Sequence, residues 1–283
     1  VSEPEKRIAL LIDADNAPSS KIDDILVEVA AFGVANVRRA YGDWKNPRLK
    51  GWESVLHEFA IRPIQQFAYS KGKNASDMAM VVDAMDLLYA RNLDGFAIVS
   101  SDADFTPLVM RILTDGLKVY GFGERKTPLA FVNACSKFIY LEALGNAPAE
   151  VAEPAASTAP ASSEPTSSEA TSSEPASSEP TGIESAESPA APITPRTANE
   201  LRGDTRLLNL LRGAVDAVAD EQGWALLSAV GNQIANRASF DSRNYGYRKL
   251  SDLIAATGLF EVKRAGKASA VRTLPRKGAR DET

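Results

Sequence analysis

The sequence predicts an α/β domain built on a mostly parallel sheet with helices on both faces. A low-complexity linker and a small winged-helix-like unit follow it. Three observations carry this reading. Over residues 1–146, short apolar runs alternate with amphipathic stretches. From 147 to 195 the chain is almost entirely Ala, Ser, Thr, Pro and Glu. Over 196–275, helical patterns come first and two strand-like runs come last.

In the first segment the runs RIALLID, NVRRAYGD, IRPIQQFAY, FAIVSS, KVYGFG and KFIYLE read as buried strands. Between them, helices are expected over 18–32, 47–59, 77–91, 105–115 and 128–135. The first of these sets Ile22, Ile25, Leu26 and Val29 on one face at helical spacing. Strand–helix alternation means parallel neighbours joined by right-handed crossovers. In such sheets ligands bind beyond the carboxyl ends of the strands, where strand order reverses.

The middle segment repeats SSEPTSSEATSSEP and has almost no large apolar residue. It cannot bury enough surface to offset the entropy of ordering, so a disordered linker is expected over 147–195. The alternative is a docking or phosphorylation segment. In the last segment, helices are expected over 204–220, 226–237 and 247–257, the third stopping at Gly258. LFEVKRA and SAVRTLP then form a hairpin. The tail, 276–283, reads as mobile.

The chain has 283 residues, 44% of them hydrophobic, enough for one or two cores. No apolar run reaches the roughly 18–20 residues that span a bilayer. No charged-then-apolar leader opens the sequence. Cys135, the lone cysteine, is expected to pack as a small hydrophobe. These features favour a cytoplasmic location and no membrane. The net charge of −5 hides a split: −2 over 1–146, −8 over 147–195 and +5 over 196–283. The basic surplus at the C-terminus suits a phosphate backbone, although a solvated surface would look the same.

Acidic residues follow two of the strands directly. LLIDADN places Asp13 at the end of the first, with Asp15 and Asn16 next; AIVSSDADF places Asp102 and Asp104 after the fourth. In KGKNASDMAMVVDAMDLL, Ser76 looks like an N-cap that puts Asp77 in the first turn of a helix. If these segments share one sheet edge, Asp13, Asp77, Asp102 and Asp104 converge. Carboxylates so close repel one another unless a cation sits among them. All-oxygen ligands and the lack of a Cys/His cluster favour Mg²⁺ or Mn²⁺ over zinc. Each acid alone reads equally well as a turn or cap residue. Asp83 lies six residues past Asp77, roughly 240° around the helix, and stays outside the core set.

Asn16 can orient a water or a phosphate oxygen. Ser100, Ser101 and Thr106 can cap the next helix or touch a ligand. His57, the single histidine, fits a surface or packing role on its helix, which argues against Ser-His-Asp and two-histidine zinc chemistry. No GxxxxGK[ST] loop is present, which counts against a P-loop hydrolase. In RRAYGDWKNPRLKGW, the cations Arg38, Arg39, Lys45, Arg48 and Lys50 interleave with Tyr41, Trp44 and Trp52. Such a segment can hold phosphates and stack unpaired bases; it can equally be a strand followed by a loop with a packed Trp. Lys71 and Lys73 stand just before Asp77. In the C-terminal unit Arg243, Tyr245, Tyr247, Arg248 and Lys249 are the candidate RNA contacts, and Leu250, Leu253 and Ile254 read as core.

LLIDADN, KGKNASDMAMVVDAMDLL and IVSSDADFTPLV, in this order, resemble the NYN domain, the LabA-like branch of the PIN-like nucleases. The resemblance spans about residues 6–142. It implies a Rossmann-like sheet of order 3-2-1-4-5, which sets strands one and four side by side. It also implies RNA phosphodiester cleavage with Mg²⁺ or Mn²⁺, Asp13, Asp77, Asp102 and Asp104 acting as metal ligands or metal-water holders and Asn16 as an accessory. The family usually has a glycine beside the fourth-strand acids; SSDAD here lacks it but keeps both carboxylates. GWALLSAVGNQIANR and FDSRNYGYRKLSDLIAATGLFEVKR resemble an OST-HTH, or LOTUS, domain over about 200–275, which implies RNA binding and in some members a protein partner. The expected function is therefore a metal-dependent ribonuclease acting on single-stranded RNA, with a second domain for targeting. The alternative is a non-catalytic RNA-binding adaptor on the same fold.

Overall fold

The computed structural model describes residues 5–66, 75–145, 194–265 and 268–274. The linker reading over 147–193, the lysines Lys71 and Lys73, and the tail from 275 lie outside the described residues.

The first strand, β1 (Arg7–Asp13), is buried along almost its whole length. Its period-2 alternation feeds two cores at once. Ile8, Leu10 and Ile12 face one layer; Ala9 and Leu11 face the other. Burial on both faces is why RIALLID reads as a continuous apolar run and not as an alternating one. The chain continues through α1 (Ile22–Ala30), β2 (Val34–Gly42), α2 (Trp52–Glu58), β3 (Arg62–Gln65), α3 (Ala75–Tyr89), β4 (Gly95–Val99), α4 (Thr106–Thr114), β5 (Lys118–Gly123), α5 (Leu129–Ala134) and β6 (Lys137–Tyr140).

The strands form one parallel sheet of order β3-β2-β1-β4-β5-β6. This is the expected 3-2-1-4-5 order with a sixth strand added at the far edge. Helix α1, Trp52 of α2 and the segment after β6 pack on one face; α3, α4 and α5 pack on the other. Strand order reverses between β1 and β4, which pair from Ile8↔Gly95 to Ile12↔Val99. The carboxyl ends of these two strands therefore open side by side.

The C-terminal domain comprises α6 (Ala198–Gly203), α7 (Thr205–Val218), β7 (Trp224–Leu226), α8 (Leu227–Arg237), α9 (Leu250–Thr257), β8 (Phe260–Ala265) and β9 (Ala268–Thr273). Its core joins Leu207, Leu211, Val215, Val230, Ile234 and Leu253 with Val271 of the sheet. The hairpin β8–β9 is present, and β7 extends it to an antiparallel sheet of order β7-β9-β8.

Local details differ from the sequence reading. Ser19–Lys21 and Pro47–Gly51 are 3-10 turns ahead of shorter α-helices. Helix α3 begins at Ala75, so Ser76 lies inside its first turn and is not its N-cap. Helix α6 and strand β7 were not expected. Helix α9 starts at Leu250 and not at 247, because Ser242–Tyr245 forms a 3-10 turn that ends on Gly246 at φ +85°. The two domains form one compact unit. Among the described residues no helix is long and apolar enough to cross a membrane.

Candidate metal centre and nucleic-acid surfaces

The site grows from the end of β1. Asp13 is paired in register with Tyr41 of β2, and its side chain is 1% exposed. Its Oδ2 accepts from Asn16 Nδ2 (3.0 Å) and Ser100 Oγ (2.8 Å). Its Oδ1 is buried with no hydrogen-bond partner. A buried carboxylate oxygen left unpaired is costly, so an oxygen that goes without a protein donor is a natural place for a cation. Burial raises the Asp13 pKa above the ordinary carboxyl value; the Asn16 and Ser100 hydrogen bonds oppose the rise and the Asp15 charge adds to it.

The loop after β4 is tied to Asp13 through one hydroxyl. Ser100 Oγ donates to Asp13 and accepts from the Asp102 N–H at 3.0 Å. Asp102 in turn caps the next turn, its Oδ1 accepting from Asp104 N–H at 2.8 Å. Thr106 Oγ1 donates back to Ala103 O from within α4 and does not cap it, and Ser101 Oγ accepts from Glu124 N–H after β5. Asp104 thus lies in a 3-10 turn fixed from both sides.

Helix α3 brings the third acid. Asp77 sits in its first turn, and its pKa is pushed up to about 6. Burial contributes most, followed by the charges of Asp13, Asp102, Asp15 and Asp104. The carboxylates of β1, the β4 loop and α3 therefore feel one another, as their places in the sequence suggested. Asp15, two residues past Asp13, is not among the four acids the sequence singles out. It accepts from Ser76 Oγ at 2.7 Å, which locks the start of α3 against the β1 loop. From the sequence, Ser100 is one of three hydroxyl residues that can cap the next helix or touch a ligand. Its junction role could not be read from spacing, because it depends on the register of β4 against β1.

Among the described residues, no three acidic, histidine or cysteine side chains converge tightly enough to cage an ion as they stand. Asp102 is turned toward the Asp104 amide and Asp15 toward Ser76. The donor set still suits a hard divalent cation: it is all oxygen, excess in negative charge, and contains one buried unpaired oxygen.

Asp83 faces elsewhere. Its two oxygens accept from Arg39 Nη1 and Tyr41 Oη, so it neutralises Arg39 beneath β2. Burial, with the hydrogen bond to Asp83, raises the Tyr41 pKa strongly. Arg39 lines a groove of about 560 Å³ with Arg62, Ile64, Gln66 and Met78.

The expected RNA contacts divide. Arg38 is spent on backbone carbonyls, donating to Ala35 O (3.2 Å) and Phe59 O (2.9 Å). Arg39 is ion-paired with Asp83. Tyr41 and Trp52 are buried and offer no open ring, while Trp44 is half-buried against the core and donates its indole N–H to Ile64 O at 3.1 Å. Lys45, Arg48 and Lys50 are exposed on the loop after β2. Arg243 pairs with Glu28 and Asp241. Tyr245 is half-buried, its ring stacked on Phe240 (5.8 Å) under the Arg196 guanidinium. Arg248 and Lys249 are exposed. His57 is exposed on α2, and Cys135 is buried with its thiol pushed up to about 12.

A parallel sheet of order 3-2-1-4-5, with carboxylates gathered beyond strands one and four, is the build of the PIN-like nuclease superfamily. Within it, residues 7–142 match the NYN domain and residues 202–271 match the OST-HTH/LOTUS domain. The chain thus carries an NYN domain followed by an OST-HTH/LOTUS domain. An uncharacterized protein of Methanocaldococcus jannaschii is 32% identical over 124 residues, covering 42% of this chain. The match spans 48% of that relative's length. A protein of unknown function from Vibrio parahaemolyticus aligns with TM-score 0.42 at 20% identity, covering 50% of this chain and 95% of that one. An uncharacterized protein of Nitrosomonas europaea aligns with TM-score 0.25 at 31% identity, covering 36% of this chain and 98% of that one. At these scores neither structure bears on function.

Proposed function

We propose that this protein is a divalent-metal-dependent ribonuclease that hydrolyses phosphodiester bonds of single-stranded RNA, with its C-terminal domain adding RNA contact. The observation that carries this reading is the acid cluster at the sheet edge: Asp13 is buried with one unpaired oxygen, and burial, together with the charges of four neighbouring carboxylates, raises Asp77.

Asp13, Asp77, Asp102 and Asp104 would hold Mg²⁺ or Mn²⁺. Such an ion supplies Lewis-acid stabilisation for charge developing on the phosphate and a stronger water nucleophile. The chain's own residues do the rest. Asn16 and Ser100 hold the Asp13 carboxylate in one orientation. The Asp102–Asp104 turn keeps its carboxylates on a rigid element next to β1. Lys45, Arg48 and Lys50, with Lys71 and Lys73, are cations that would draw the RNA backbone toward the acids. Attack of water on phosphorus with loss of the 3′ oxygen leaves a 5′-phosphate and a 3′-hydroxyl. On this reading the protein acts in the cytoplasm.

The test is degradation of single-stranded RNA by the full chain with Mg²⁺ or Mn²⁺, with EDTA, and by the Asp13→Asn and Asp104→Asn variants. EDTA and each substitution should lower the rate by about 10²-fold or more, the scale of losing one preorganised electrostatic contact. Equal rates in all proteins would refute the assignment of the acids. RNA bound but never cut would favour an adaptor.

A further inference from the structure

We propose that the Asp241–Tyr245 turn of the C-terminal domain is a docking plug for the chain's own NYN domain. It grips the edge strand β6 and helix α1 in cis, and is thereby withdrawn from nucleic acid.

The grip has three parts. The first is backbone mimicry. Strand β6 ends the sheet, so its outer N–H and C=O groups have no strand to pair with. The Asn244 side chain meets two of them: Nδ2 donates to Phe138 O at 2.9 Å, and Oδ1 accepts from Tyr140 N–H at 3.1 Å. A primary amide carries one donor face and one acceptor face, so it matches the spacing a neighbouring strand would offer. No aspartate or leucine at 244 could do both.

The second part is a chain of alternating charges across the boundary. Lys137 of β6 pairs with Asp241 at 2.9 Å. Asp241 pairs with Arg243 through both oxygens, at 3.0 Å each. Arg243 then forks onto both oxygens of Glu28 on α1. Asp241 is 7% exposed and the other three groups are half-buried, so solvent screens these pairs less than it would on an open surface. Planar guanidinium-to-carboxylate pairing also fixes orientation as well as distance.

The third part holds the turn in shape. Asp241 caps it, accepting from Arg243 N–H at 2.8 Å. Gly246 closes it in the left-handed region, where a Cβ would lie 2.5 Å from Pro195 Cα. Pro195 and Arg196 run beneath the turn: Arg196 N–H donates to Tyr245 O, and Tyr247 Oη donates to Arg196 O. A further contact joins Arg206 of α7 to Asn133 of α5.

Both flanks of residues 146–193 are fastened in the same chain that carries the plug and its socket. Leu144 O accepts from Lys21 Nζ at 3.1 Å, beside the start of α1, whose last turns supply Glu28. At the other end Pro195 packs directly under the plug. With the plug engaged, Arg248 and Lys249 remain as the exposed cations that follow it.

The experiment uses the full chain. Hydrogen exchange at the Tyr140 amide and the solution radius of gyration are measured for wild type, Asn244→Ala, Arg243→Glu, Glu28→Arg and the Arg243→Glu/Glu28→Arg double variant. Asn244→Ala should speed Tyr140 exchange by about tenfold or more, the loss of one hydrogen bond's protection. Either single charge reversal should expand the molecule, and the double variant should restore the wild-type radius. Glu28 lies on the other domain from the plug, so its reversal still reports if Arg243→Glu misfolds. Light scattering should give one chain per particle. Unchanged exchange and radius in all variants, or dimers joined by the contact in trans, would overturn the proposal. So would a loss of single-stranded RNA affinity in Arg243→Glu that Glu28→Arg does not repair, because that outcome makes the turn an RNA contact. None of these readouts depends on whether the acids cut RNA.

Discussion

The single Ser100 hydroxyl couples two halves of the acid cluster, donating a hydrogen bond to Asp13 and accepting one from the Asp102 N–H. Ser100→Ala removes both at once. It should leave the fold intact by circular dichroism yet lower nuclease activity by about 10–100-fold, as loss of a group that orients a metal ligand does. Activity within twofold of wild type would remove Ser100 from the site. Asp77 makes a pH prediction. Its folded pKa, about 6, exceeds the ordinary 3.8, so the folded chain holds this proton more tightly than the unfolded chain. Stability is then highest below the ordinary carboxyl value and declines as pH rises from about 4 through about 6; Asp13, also raised, adds the same sign. With chelator present, the melting temperature should fall across that window, and Asp77→Asn should flatten the fall and melt higher near neutral pH. An identical slope in the variant would contradict the shared-charge picture. Asp13, Asp102 and Asp104 were legible in the sequence because they follow apolar runs, and Asp77 because it opens a helical pattern. The fates of Arg38, Arg39 and Arg243 were not: a cation's partner, such as Asp83 or Glu28, lies on another element and leaves no local trace.

At the level of elements, β1, β4 and the αβ alternation were readable because burial on both faces turns each strand into a continuous apolar word. What escaped was short or decided by distant contacts. Strand β7 has three residues and exists because Ala225 pairs with Val271, far along the chain. Ser76 lies within α3 and gives its hydroxyl to Asp15 of the β1 loop, a distant partner that a local capping rule cannot see. The packing of β5 against β6 makes a sharper claim. A Cβ on Gly121 would lie 2.5 Å from the Phe138 ring and 2.7 Å from Cys135 Sγ, both buried. Gly121→Ala should therefore destabilise the protein by about 1–3 kcal/mol through overpacking, read from urea unfolding. A neutral result would mean that Phe138 can retreat, which its edge contacts with Phe131 and Tyr140 oppose.

For the whole molecule, the carboxylates gather at one sheet edge of the NYN domain while the basic surplus lies in the C-terminal segment, −2 over 1–146 and +5 over 196–283. The amide of Asn244 against Phe138 and Tyr140 has one more consequence. A strand whose outer peptide groups are satisfied by a lone side chain is shielded only while that side chain is present. Cut after Gly145, the remaining chain would offer β6 to any copy of itself, and strands from two molecules could zip together. Such a truncated protein should form concentration-dependent oligomers in sedimentation experiments, while the intact chain stays single. Cleavage between residues 146 and 193 that released the C-terminal half should leave a protein prone to self-association.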